Sequence, residues 1–129
     1  MVYVNTLITV APDCTAATAT QPPLFRGKQT VAGLQHELLI NAPYEYDQDA
    51  LNFEVHCRRK GIKDRAAEHP MFFAKEHPCL RASPLTKTYG WGAHYDVDGR
   101  IGLIGVETAE YKRLEQELQT RPAMRSRRG

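Results

Sequence analysis

Apolar and polar positions change period several times along this 129-residue chain, and each change marks an element. Residues 4–10 are rich in β-branched side chains and read as a strand that stops at Ala11-Pro12-Asp13. Residues 11–29 are Ala/Thr-rich, with Pro22-Pro23 and Gly27. A loop this long in so small a chain is either functional or poorly ordered. Thr30 is placed to cap a helix running to about Ile40, because its hydroxyl can accept from an unpaired first-turn amide. Val31, Leu34, Leu38 and Leu39 form the apolar stripe of that helix, and Pro43 lies beyond its end.

Residues 51–58 alternate, with Leu51, Phe53, Val55 and Cys57 on one side and Asn52, Glu54, His56 and Arg58 on the other. A period of two predicts a strand with one buried face, ended by Arg59-Lys60-Gly61. Residues 64–75 follow as a helix anchored by Met71, Phe72 and Phe73, which Pro70 either breaks or restarts.

Asp98-Gly99 is a strong hairpin signal, since both residues tolerate positive φ. A three-residue loop over 97–99 sets Asp96 opposite Arg100, Tyr95 by Ile101, Ala93 by Leu103 and Trp91 over Gly105. Thr108 then caps a last helix, closed by Pro122, whose Tyr111, Leu114 and Leu118 share a face. The order strand, helix, strand, helix, hairpin, helix predicts an α+β fold. It has a small, mostly antiparallel sheet of about four strands with helices on one face.

Composition narrows the class without identifying an activity. A hydrophobic content of 42% with 25% charged residues suits a soluble globular chain and excludes wholesale disorder. No apolar run approaches the roughly 20 residues of a membrane-spanning helix, and the first residues lack the basic and apolar regions of a signal peptide. Cys14, Cys57 and Cys79 are too few, and odd in number, for a disulfide framework, so a reduced, cytoplasmic protein is expected. The net charge of +2 depends on four arginines in 121–129; without them, thirteen basic residues face fifteen acidic ones. A single domain over 1–120 with a basic, flexible tail over 121–129 is therefore expected.

The stretch Pro78-Cys79-Leu80-Arg81-Ala82-Ser83-Pro84-Leu85-Thr86-Lys87-Thr88-Tyr89-Gly90-Trp91-Gly92-Ala93-His94 is distinctive. With it come Val10-Ala11-Pro12-Asp13-Cys14, Asn41-Ala42-Pro43-Tyr44, Val55-His56 with Arg59-Lys60-Gly61, Gly99-Arg100 and Met124-Arg125-Ser126. In these features the chain resembles a family of small microbial proteins known as domain of unknown function 6157. The likeness covers nearly the whole chain. It implies one stand-alone domain, and it brings no activity or catalytic residue. Gly33 stands where the pattern would place a glutamate to complete a capping box with Thr30.

The residues themselves offer three readings. The first is a binding module for a small anionic ligand around residues 81–94. Arg81 and Lys87 would supply charge, Ser83 a hydroxyl, Trp91 a flat apolar wall and His94 a further donor. Gly90 and Gly92 would admit a ligand or a neighbouring backbone to the strand. The plain alternative is that Pro84 shapes a connection, Trp91 is core and Arg81 satisfies a group of the protein itself. The second reading is an enzyme in which His94, oriented by Asp96, activates a Cys79 thiolate. Against it, free cysteines are more often small buried apolar residues. The third is nucleic-acid or acidic-partner binding through the tail, by charge alone. No metal site is expected, since His69, His77 and Cys79 match no ligand spacing. His56 and Glu54 read as a solvated pair on a polar face. No cofactor follows either, for want of a GxGxxG, P-loop or HExxH motif.

Overall fold

The computed structural model describes residues 3–126. Strand β1 (Thr6–Thr9) is followed by helices α1 (Val31–Asn41), α2 (Gln48–Lys60) and α3 (Arg65–Phe73). A 3-10 turn (Leu80–Ala82) and the short α4 (Pro84–Lys87) lead into the hairpin β2 (Trp91–Tyr95) and β3 (Ile101–Gly105). Helix α5 (Ala109–Glu117) and strand β4 (Gln119–Pro122) complete the fold. The strands form one sheet in the order β3-β2-β1-β4, antiparallel except for the parallel β1–β4 pair. The fold is α+β. Among the described residues no helix is long and apolar enough to cross a membrane.

The hairpin has the register that its turn chemistry dictates. Trp91 pairs with Gly105, Ala93 with Leu103 and Tyr95 with Ile101. The Asp96 carboxylate accepts from the amides of Asp98 and Arg100, both at 2.9 Å, which closes the loop. Thr30 and Thr108 cap α1 and α5 by accepting from the amides of Gly33 and Tyr111.

Residues 51–58, expected as a strand, lie inside α2. The Asp47 carboxylate caps its N-terminus, Arg58, Arg59 and Lys60 sit in its last turn, and Gly61 ends it in the left-handed conformation at φ 63°. These end signals outweigh the alternation, and Gln48, Leu51 and Val55 become the buried positions at helical spacing. The fourth strand is instead β4, which runs parallel to β1 and is followed by a bond from the Ala123 amide to the Thr9 carbonyl. The expected tail boundary at residue 120 therefore falls inside a strand. Beyond it, Met124 donates to the Arg81 carbonyl and the Ser126 amide to the Asp13 carboxylate, while residues 127–129 lie outside the described residues.

Helices cover both faces of the sheet, where one was expected. Ile8, Ala93, Tyr95 and Ile101 pack under α1 and α2 with Leu38, Leu39, Leu51 and Val55. On the opposite face Leu7 and Ile104 meet Tyr111 and Leu114 of α5. A strand alternates its side chains, so neighbouring residues of β1 serve separate cores. The long loop 11–29 is pinned along the sheet, by bonds from Ala11 to the Thr86 carbonyl and from Thr20 to the Tyr89 carbonyl.

Candidate functional site

The segment 81–94 turns a corner, and its polar residues go separate ways. Ser83 caps α4, accepting from the Leu85 amide at 3.1 Å and donating to Gln35 Oε1 at 2.7 Å. Arg81 Nε donates to the Pro122 carbonyl at 2.8 Å, tying down the end of β4. Trp91 Nε1 donates to the Thr20 carbonyl at 2.8 Å, with its ring 5.2 Å from that of His36. Lys87 borders a depression beside Cys14 and Thr88. The space at the two glycines is taken by the protein itself. A Cβ at Gly90 would come within 2.8 Å of the Thr18 carbonyl, and one at Gly92 within 2.7 Å of the Tyr111 ring.

His94 and Cys79 lie on opposite sides of the sheet. His94 shares a face with Leu7 and bonds the Tyr44 hydroxyl through Nδ1 at 2.8 Å. The Cys79 sulfur packs against the core under α1 and α2, 3.8 Å from the Tyr3 hydroxyl. The imidazole that would activate the thiol is therefore across the sheet from it. All three cysteines are free, and burial pushes the Cys57 thiol up from its ordinary pKa. Among the described residues no three His, Cys, Asp or Glu side chains gather as metal ligands. His56 donates from Nε2 to Glu68 at 2.5 Å, while Glu54 turns to Arg65 and Arg58 at 2.7 and 2.8 Å. Those guanidinium groups hold the Glu54 carboxyl down to about 2.

A cleft of about 230 Å³ opens between α1, α2, the end of α3 and the chain 77–84. Helix α2 contributes Asn52, Val55, His56 and Arg59, spaced i, i+3, i+4 and i+7, so one helical face lines the wall. Helix α1 adds Val31 and Gln35, and the crossing chain adds His77, Cys79 and Ser83. His77 is held in place. Its ring stacks on Phe72 at 3.7 Å, and its Nε2 donates to the Phe72 carbonyl at 2.7 Å, which leaves Nδ1 as the other ring nitrogen.

Two donors here are uncommitted. Gln35 is only 8% exposed, and its Oε1 is held by Ser83, yet its Nε2 amide has no partner among the described residues. Among the described residues every fully buried side-chain nitrogen or oxygen has a partner, so this amide must reach accessible space, and the cleft is the space beside it. Arg59 forms no ion pair among the described residues, in contrast to Arg58 one position before it. Among the described residues no carboxylate lines the cleft. Of the residues proposed for anion binding or the thiolate, Ser83 and Cys79 are on its wall; His77 and His56, set aside in the sequence as an unmatched ligand and a member of a solvated pair, line it too, and Gln35, Asn52 and Arg59 belong to no site the sequence suggests. The spacing 52-55-56-59 is a visible signal, but only once the segment is read as helical.

No curated protein and no solved structure matches this chain. A family model described as "Family of unknown function (DUF6157)" matches residues 1–129, and the chain belongs to that family.

Proposed function

We propose that this protein is a binding module for a small anionic ligand, held in the cleft between α1, α2 and the chain 77–84. The observation that carries the reading is that the uncommitted Gln35 amide and Arg59, both without a partner among the described residues, share a cleft that no described carboxylate lines. An anion gains from both donors, and an acidic group in contact with the wall, Glu68, is engaged by His56. Val31, Val55 and Phe72 supply apolar wall, which suits a ligand with an organic body. Charge-assisted bonds contribute about 1.5–3 kcal/mol each, so two of them with apolar enclosure support micromolar binding. Ser83 is the part of segment 81–94 that acts here, by fixing Gln35.

A thermal-shift screen of phosphates, carboxylates and nucleotides tests the reading, because a ligand of the native state raises the melting temperature. Arg59→Glu abolishes the shift. Gln35→Glu keeps an acceptor for Ser83 and places a negative charge in the cleft, so it also weakens binding. If no anion shifts the protein, or the shift survives Arg59→Glu, the reading fails. The two cores share one sheet, which supports a single cooperative module, and calorimetry should give one transition.

A further inference from the structure

Beside the cleft lies a second hollow of about 400 Å³, and the two meet at Val31 and Arg59. Its far wall is a tight turn in the loop before α1. Phe25 and Lys28 exchange both backbone bonds, at 2.8 and 3.0 Å, around Arg26 and Gly27, whose φ values are 52° and 75°. Two left-handed residues at the centre of a doubly bonded turn make a stiff support that fixes where Arg26 and Lys28 stand. The Arg26 guanidinium lies over the Phe25 ring, 5.3 Å from its centroid, a contact that leaves the N–H edges of the guanidinium unused. Neither Arg26 nor Lys28 forms an ion pair among the described residues, and no carboxylate lines the hollow. Three cations, from Arg26, Lys28 and Arg59, thus border one recess with no ion-pair partner among the described residues.

From this arrangement we infer that the hollow is a subsite for a diphosphate group, and that the ligand is an organic diphosphate with its body in the neighbouring cleft. The inference rests on the cleft reading above and assigns the ligand's charged end. A single phosphate carries too little charge for three cations spread around this volume. A diphosphate adds both charge and length, and Arg59 at the junction can bond the phosphate nearer the body through its planar fork. Lys28 supplies a point charge and Arg26 a second fork for the terminal phosphate.

The test is a titration of the isotope-labelled full chain, at constant ionic strength, followed by amide resonances. The probes are orthophosphate, pyrophosphate, adenosine monophosphate and adenosine diphosphate. Amides of 25–31 and Arg59 report the hollow; those of Gln35, Ala82 and Ser83 report the cleft. Pyrophosphate should saturate the hollow at least tenfold more tightly than orthophosphate. Adenosine diphosphate should move both sets of amides and bind at least tenfold more tightly than the monophosphate. The double variant Arg26→Asn/Lys28→Ala should remove both gains, and asparagine is chosen because it tolerates the left-handed conformation at 26. Cleft amides that respond while the hollow stays silent, or gains that persist in the double variant, overturn this inference and leave the cleft reading standing. Hollow amides that respond to pyrophosphate while no organic probe moves the cleft overturn the cleft reading, and the organic body with it.

Discussion

The Tyr44 hydroxyl and Nδ1 of His94 lie 2.8 Å apart, joining the turn after α1 to the second strand on the α5 side of the sheet. Burial holds the His94 imidazole below its ordinary 6.5, against the pull of Asp96 and Glu110 and with a small contribution from Arg113. Burial lowers His36 in the same direction. The unfolded chain therefore takes up protons near pH 6.5 that the folded chain refuses. Stability should fall as pH drops below about 6.5 and level off once the folded imidazoles titrate. Denaturant midpoints measured between pH 7.5 and 5 check this. His94→Gln should flatten the profile to the part His36 supplies, and a profile unchanged by that substitution would remove His94 from the account. Tyr44→Phe should cost about 1 kcal/mol.

Arg81 joins the 3-10 turn to the end of β4 through the Pro122 carbonyl and through its own carbonyl, which accepts from Met124. Arg81→Ala should cost about 1 kcal/mol, because the side-chain bond is exposed. Hydrogen exchange should quicken at Ala123 and Met124. The anion-induced thermal shift should persist, since Arg81 does not line the cleft. Loss of that shift with the fold intact would return Arg81 to the binding site.

Cys57 is 2% exposed, against partial exposure of Cys14 and Cys79, and burial raises its thiol pKa. Thiol titration of the native protein should label Cys57 last, at a rate that tracks unfolding. Labelling as fast as Cys14 would mean that α2 opens locally.

Asp47→Ala removes the side chain that caps α2 and should cost about 1 kcal/mol. Leu51→Ala leaves a void at a fully buried position and should cost about 2–5 kcal/mol. Both losses can be read from denaturant midpoints. A neutral Asp47→Ala would show that tertiary packing alone holds the helix.

Local chemistry made part of this fold legible and hid the rest. The hairpin register follows from Asp98-Gly99 and two apolar faces, all within fifteen residues, so the sequence carries its own geometry there. Helix α2 was obscured because Phe53 and Cys57 fall at even spacing from Leu51 for unrelated reasons. Phe53 faces the aromatic rings of His69, Phe72 and Phe73 on α3, which no local pattern reveals. Asp47 and Gly61 were the available correctives. Strand β4 has four exposed residues and no apolar alternation, so only its pairing with β1 defines it. The cleft was hidden for the same reason, since its wall joins α1, α2 and the 77–84 chain, and the two residues read there, Ser83 and Cys79, came from one stretch.

The placement of β1 bears on how the chain is made. It is the second strand from the β4 edge of the sheet, hydrogen-bonded on both sides, yet both partners come from residue 91 onward. During synthesis β1 therefore emerges before either of its partners in the sheet, and waits while α1, α2 and α3 are produced. Leu7 and Ile8, fully buried in the native sheet, lack their native strand partners for that interval. Contacts so distant in sequence slow folding, and an unpaired apolar strand is the part of a nascent chain most open to wrong partners.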